Sequence, residues 1–123
     1  MNAYERLLKY VVIRTPSNEE SETTPSSQCQ FDLANVLKKE MEELGICDVT
    51  LTDTCFLYGK IPATPGCENA PAIGFIAHMD TVSDYCDHDI KPMITENYDG
   101  EALALGKSEL VLSPEMFPHL KTL

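Results

Sequence analysis

Two residues that could do chemistry, His78 and Asp80, stand at the end of an apolar run. The run, residues 72–77 (AIGFIA), is compatible with a buried strand, and the histidine follows it directly. In open α/β sheets ligands bind beyond the carboxyl ends of strands. Neutral imidazole is the commonest metal ligand, usually with its other nitrogen bonded to a carboxylate or carbonyl. Extended geometry would bring both side chains to one face, so the pair predicts chemistry at a strand end.

The same pair has a purely structural interpretation. His78 could be a strand-end histidine satisfied by the backbone, with Asp80 as a turn former. Because His-x-Asp is a short and common string, these residues alone favour the structural interpretation.

The other two histidines are weaker candidates. His88 lies in a hydrophilic, turn-rich stretch, residues 83–89, which predicts an exposed loop more than a second metal cluster. His119 is expected to be a surface or packing residue in a short helix over residues 114–123, whose proline suits the first helical turn. The carboxylates beside His88 are Asp84, Asp87 and Asp89.

Helical periodicity marks two segments. Residues 3–13 space their apolar side chains at helical intervals and predict an amphipathic helix. Residues 28–44 predict a second helix, with Ser27 and Gln30 as a candidate capping box and Gly45 as a left-handed C-terminal cap. The intervening residues 14–25, rich in Pro, Ser, Thr and Glu, predict a surface loop.

Strand patterns follow the second helix. Residues 48–52 and 55–61 predict a hairpin, and residues 62–71, with three prolines and a glycine, a connecting loop. Residues 73–77 lack polar alternation and predict a strand covered on both faces. Without its neighbours that strand should expose apolar surface or a sheet edge and promote association. Short strands are expected at 90–94 and 102–105.

These elements predict the α/β class, with helices packed on a mixed sheet in one partial domain over residues 1–123. Nine basic against 20 acidic residues give a formal charge of −11, which disfavours nucleic acid and anionic membranes as partners. With 43% hydrophobic and 24% charged residues, the composition is that of a globular protein. The sequence leaves homo-oligomerisation open.

Five cysteines, an odd number without C-x-x-C spacing, predict free thiols in a reducing compartment. The first residues lack the pattern of a secretory leader, and no run approaches the roughly 20 apolar residues of a membrane span. A soluble cytoplasmic protein is expected.

Several segments resemble the peptidase T family of tripeptide aminopeptidases. Residues 71–81 (PAIGFIAHMDT) resemble its first metal-ligand segment, and residues 112–118 (LSPEMFP) resemble its Leu-Ser-Pro-x-Met-Phe-Pro segment, the most specific match. Residues 7–11 (LLKYV) and 41–45 (MEELG) are similar to its opening helix and to the end of its second helix. The resemblance covers essentially all 123 residues, but only the opening part of a peptidase T chain.

The resemblance implies a zinc peptidase of the co-catalytic type. In that family two zinc ions are held by two histidines and three carboxylates, one aspartate bridging them, and a further glutamate is the general base. His78 looks like a zinc ligand and Asp80 like the catalytic carboxylate that orients it. The Asp-Asp-Lys and Glu-Glu segments that carry the other groups have no counterpart here.

Neither glutamate pair of this chain is a substitute for those groups. Glu19 and Glu20 fall in a predicted polar loop, and Glu42 and Glu43 on a predicted helix, so both pairs are expected to be solvated charges. The function expected by resemblance is therefore the N-terminal part of an aminopeptidase that releases the first residue of tripeptides. The isolated chain should be inactive.

Two other functions stay open. Another zinc hydrolase of the superfamily, such as a deacylase or dipeptidase, would keep the His-x-Asp pair but lose tripeptide selectivity. A standalone, non-catalytic α/β interaction module would need no further ligands.

Overall fold

The computed structural model describes residues 1–86, 89–107 and 109–122. They divide into two compact units, Met1–Pro92 and Met93–Leu123. Helices and small sheets alternate along the chain, so the predicted α/β class is confirmed. Apart from prolines, buried apolar side chains are few among these residues: Leu33, Ala34, Cys55 and Leu120.

The first helix, α1, spans Ala3–Tyr10. It starts where the backbone N–H of Asn2 donates to the carboxylate of Glu5 at 2.6 Å. It ends three residues earlier than residues 3–13 predict, and the N–H of Ile13 bonds to Tyr10 at 3.0 Å in a following turn. One reason is that Pro16 follows shortly after the helix and disfavours helical backbone at the residue before it, Thr15.

The second helix, α2, spans Gln30–Glu43 and ends as the sequence predicts. Gly45 has φ +77°, its N–H donates to Glu42 at 3.0 Å, and the N–H of Ile46 donates to Met41 at 3.0 Å. These two backbone hydrogen bonds, together with a glycine in the left-handed conformation, form the Schellman motif. Helix α2 is tied to α1 through Glu40, whose carboxylate accepts hydrogen bonds from Arg6 and Tyr10.

The predicted capping box at the start of α2 is wrong. Gln30 is bonded to Ser27 through backbone atoms at 3.2 Å, and no side chain caps the helix. The side-chain amide of Gln30 instead points to the carbonyl of Pro16 at 3.5 Å and the hydroxyl of Ser26 at 3.3 Å. A tertiary contact has therefore displaced the local one.

The predicted hairpin is present. Strand β1, Cys47–Leu51, pairs antiparallel with β2, Leu57–Lys60, with a bulge in β1. The hairpin packs against α2, and the side chain of Met41 in that helix lies close to Gly59. A Cβ on Gly59 would lie 2.6 Å from Cγ2 of Ile46, so only a residue without a side chain fits there.

The strand predicted for residues 73–77 is absent. These residues have neither strand structure nor a ladder partner within the described chain, and Phe75 is 95% exposed. A single extended segment is not stable as a strand without neighbours. The apolar exposure predicted for a strand without its neighbours is thus observed.

The predicted mixed sheet is also absent from the described residues, whose two sheets are separate antiparallel pairs. Parallel pairing is limited to one isolated bridge between Pro16 and Thr81. Beyond it, Ser83–Cys86 form a short helix, α3, in the stretch predicted as an exposed loop. The less favoured alternative for this stretch, a metal cluster around His88, lies partly outside the described residues, because 87 and 88 are not among them.

In the unit Met93–Leu123, strand β3, Leu103–Ala104, pairs antiparallel with β4, Val111–Leu112. This β3 lies in the predicted strand 102–105, whereas residues 90–94 form no strand. The helix predicted for 114–123 is reduced to a turn and a 3-10 helix, Pro118–Thr122. The carbonyl of Ser113 accepts the N–H groups of both Met116 and Phe117. Pro118 has no backbone N–H and cannot donate the next helical hydrogen bond, so the first turn does not continue as an α-helix.

All five cysteines are free thiols, as predicted. No helix in the described part of the chain is long and apolar enough to cross a membrane. Both predicted solvated glutamate pairs, Glu19 with Glu20 and Glu42 with Glu43, are exposed.

Candidate metal-ligand site

His78 and Asp80 meet in the structure, as their spacing predicts. The imidazole Nδ1 of His78 lies 2.7 Å from the backbone oxygen of Asp80 and 3.3 Å from its Oδ1. A carbonyl oxygen can only accept, so Nδ1 carries the proton and Nε2 keeps its lone pair. The backbone carbonyl of Asp80, closer than the carboxylate, is therefore the main acceptor.

The imidazole is open to solvent. The side chain of His78 is 82% exposed and that of Asp80 is 45% exposed. Both hydrogen bonds that the structure shows for the ring use Nδ1, which leaves Nε2 available to a further partner. A histidine with its tautomer fixed through Nδ1 and with an open Nε2 has the form of a metal ligand.

Residues that the sequence assigned to a plain loop hold the end of this segment. The N–H of Thr81 donates to the carbonyl of Thr15 at 2.9 Å, and the carbonyl of Thr81 accepts from the N–H of Ser17 at 2.9 Å. The hydroxyl of Ser17 donates to the same carbonyl at 3.2 Å. These partners lie more than 60 positions apart, and no local pattern predicted them.

Beside the pair lies a cavity of 1210 Å³ within the unit Met1–Pro92. Its lining is mainly apolar and comes from α1, α2, the hairpin and residues 75–81, including Leu7, Leu33, Leu37 and Phe56. Small-molecule pockets usually measure about 300 to 1,000 Å³ and carry convergent polar groups. This one is larger and resembles an unfilled interior more than a finished substrate pocket.

The described residues do not complete a metal centre around His78. No group of three or more His, Cys, Asp or Glu side chains arranged to hold a metal occurs in residues 1–86, 89–107 and 109–122. His119 stands in the 3-10 helix Pro118–Thr122 with its ring 6.2 Å from that of Phe117, centroid to centroid. His119 is exposed, so it is a surface residue, one of the two roles predicted for it, and its ring also contacts Phe117.

Together the fold and the pair define an α/β chain in which a histidine and an aspartate two residues apart are in hydrogen-bond contact. Comparison with known proteins extends this. The chain is 43% identical over 122 residues to Peptidase T of Alkaliphilus oremlandii, a match that covers 98% of this chain and 30% of that protein. It is 48% identical over 117 residues to Peptidase T of Desulfitobacterium hafniense and 44% identical over 116 residues to Peptidase T of Shewanella sediminis.

These matches confirm the resemblance to the N-terminal part of peptidase T that residues 71–81 and 112–118 indicate. Each of the last two covers 94% of this chain and 28% of the relative, so the chain spans about 30% of the length of the curated relatives it matches. No protein-family model matches the chain.

Proposed function

We propose that this chain is the amino-terminal part of a zinc-dependent aminopeptidase that releases the first residue of tripeptides, and that it contributes His78 as a zinc ligand and Asp80 as its companion. The observation that carries the proposal is the match of 94–98% of the chain to proteins named Peptidase T. Zinc and tripeptides enter through the resemblance of residues 71–81 and 112–118.

The chemistry of the pair fits zinc, although the number of donors does not complete a site. Zinc takes imidazole nitrogen and carboxylate oxygen, with three or four protein ligands. His78 offers an exposed Nε2 while its Nδ1 donates to Asp80. The described chain adds no cluster of further donors. We therefore assign it one element of a site whose other ligands lie elsewhere.

Within this proposal the residues have separate roles. His78 would hold the metal through Nε2, while the Asp80 carbonyl and carboxylate accept from Nδ1 and keep the ring in one tautomer and orientation. Bound zinc lowers the pKa of a water and polarises the scissile carbonyl of a peptide. A general-base carboxylate must also be present, and we assign that role to neither glutamate pair, because both are exposed.

The decisive test is a chimera in which this chain replaces the matched 117 residues of Desulfitobacterium hafniense Peptidase T. We expect the chimera to hydrolyse tripeptides. His78→Ala should abolish turnover, and Asp80→Ala should lower it by about 10- to 100-fold, the usual effect of removing a partner of a metal-bound histidine. Glu19→Gln, in an exposed loop, is the matched control and should be silent.

The isolated chain with added zinc should show no tripeptide hydrolysis. Turnover by the isolated chain that disappears in His78→Ala would contradict the proposal that this chain carries only part of the zinc site. A folded chimera whose activity survives His78→Ala would contradict the ligand assignment itself.

A further inference from the structure

The peptide unit between Asp80 and Thr81 is held from both sides. Its C=O accepts the Nδ1–H of His78 at 2.7 Å, and its N–H donates to the carbonyl of Thr15 at 2.9 Å. A trans peptide is planar, with its C=O and N–H directed oppositely. Fixing the N–H toward Thr15 therefore aims the C=O away from Thr15, which is where the imidazole lies.

The residues that hold this peptide are themselves anchored. Thr15, Pro16 and Ser17, here called the strap, pair with Thr81 in a parallel bridge. Thr15 is only 2% exposed, and its hydroxyl lies 3.5 Å from that of Thr81. The carbonyl of Pro16 faces the side-chain amide of Gln30, a buried residue at the start of α2, at 3.5 Å.

By contrast, the chain before His78 is not held. Residues 71–78 are all exposed and have no backbone hydrogen bond to another segment of the described chain. The strap is therefore the nearest fixed point for the histidine–aspartate pair.

We propose that Ser17 and Gln30 are positioning residues for His78: Gln30 supports the strap, Ser17 fixes Thr81, and the Asp80–Thr81 peptide then sets the tautomer and direction of the imidazole. The proposal rests on the ligand role assigned to His78 above. We assign neither residue a contact with the metal or the substrate. The effect passes through the backbone hydrogen bonds that join Thr15 and Ser17 to Thr81, which lies 66 and 64 positions further along the sequence.

The experiment uses the whole 123-residue chain labelled with ¹⁵N. Ser17→Pro deletes the N–H that bonds to Thr81, whereas Ser17→Ala keeps it and removes only the hydroxyl, so the two form a matched pair. Two quantities are read for each: the imidazole ¹⁵N shifts of His78 at a pH where the ring is neutral, which report the tautomer, and the response of those signals to inorganic Zn²⁺.

We expect Ser17→Pro to reduce the Nδ1–H tautomer and to weaken Zn²⁺ binding at His78 by roughly two- to tenfold, the range that one hydrogen bond corresponds to. Ser17→Ala should change the affinity by less than about twofold, because the backbone hydrogen bond is the shorter one. A merely structural role for the strap would leave the tautomer of an exposed imidazole unchanged. The proposal is overturned if Ser17→Pro, with α2 and hairpin signals intact, keeps the wild-type tautomer and affinity.

If Ser17→Pro does not fold, Gln30→Met tests the proposal through the same two measurements, the imidazole ¹⁵N shifts of His78 and their response to Zn²⁺. Methionine has a similar volume but lacks the amide that faces Pro16 and Ser26. It should shift both quantities in the same direction by a smaller amount, and no shift in either rejects the proposal. Failure of the proposed function looks different. His78 of the unmodified chain would then ignore Zn²⁺, while the tautomer would still respond to the strap variants and support the positioning role.

Discussion

His78 receives two contacts from a single residue, Asp80: the backbone oxygen lies 2.7 Å and Oδ1 lies 3.3 Å from the same ring nitrogen. Because both acceptors compete for one N–H, the carboxylate is not used up by the imidazole. Asp80, with a side chain 45% exposed, keeps lone pairs available for a further partner. The pair is thus arranged as an element that other groups complete.

We expect the isolated chain to bind zinc only weakly. One imidazole and one carboxylate fall short of the three or four ligands of a zinc site, and the described residues hold no larger donor cluster. Equilibrium dialysis against a mild chelator should leave less than stoichiometric zinc, and His78→Ala should lower it further. Stoichiometric zinc that persists in His78→Ala would point instead to the acidic segment around residues 84–89.

Association through residues 73–77 is a second expectation. Ile73, Phe75 and Ile76 are exposed beside backbone groups without a ladder partner in the described chain, a combination that promotes edge pairing. Sedimentation velocity should show concentration-dependent self-association that Ile76→Lys reduces. Ile61→Lys adds the same charge at another exposed isoleucine and should reduce it less. A monodisperse monomer at all concentrations would contradict the expectation.

The cap of α2 makes Gly45 a sensitive position. An alanine at φ +77° costs about 1 kcal/mol, because its Cβ crowds the backbone in the left-handed region. Gly45→Ala should therefore lower the free energy of unfolding by about that amount, seen as a lower urea midpoint with an unchanged slope. Gly74→Ala is the control, since its Cβ would meet open space and its backbone is not left-handed, and it should stay within about 0.5 kcal/mol of wild type.

The thiols should differ in reactivity. Burial raises the pKa of the Cys55 thiol above its ordinary value of 9.0, which disfavours the reactive thiolate, whereas Cys47 and Cys67 are exposed. Alkylation near pH 8 should label Cys47 and Cys67 before Cys55, with peptide mapping as the readout. Labelling of Cys55 at the same rate in the folded chain would contradict its burial.

The same shift has a consequence for stability against pH. The folded pKa of Cys55 lies above the unfolded one, so the unfolded chain loses its proton first as the pH rises. The contribution of Cys55 is complete below pH 9 and is lost as the pH rises above it. Cys55→Ala should remove that dependence from unfolding curves measured between pH 8 and 10.

Local signals in the sequence predicted much of this chain, and the failures have a common cause. The cap at Gly45 and the hairpin depend on residues that are close in sequence, and both predicted features are observed. The strand at residues 73–77 needs partners from elsewhere in the chain, and the described residues supply none. Gln30 does not form its predicted cap, because its side-chain amide faces the carbonyl of Pro16 instead. Only the folded chain brings these two residues together.

The candidate site divides in the same way. His78 and Asp80 are two residues apart in sequence, and the contact between them was predicted from that spacing. Their roles in metal binding stay predictions. The strap was not predicted, because Thr15 and Ser17 act through backbone atoms that carry no residue-specific signal. A buried threonine and proline within an otherwise polar loop are what distinguish it in the structure.

The contact at Gly59 also bears on the order in which the chain folds. Helix α2, β1 and β2 follow one another within Gln30–Lys60, so the contacts that join them close only short loops. Short loop closures cost little entropy and form early, whereas the bridge from Pro16 to Thr81 must close a loop of more than 60 residues. During synthesis the helix–hairpin unit can therefore assemble before His78 has been translated, and the segment that carries His78 then packs against structure that has already formed.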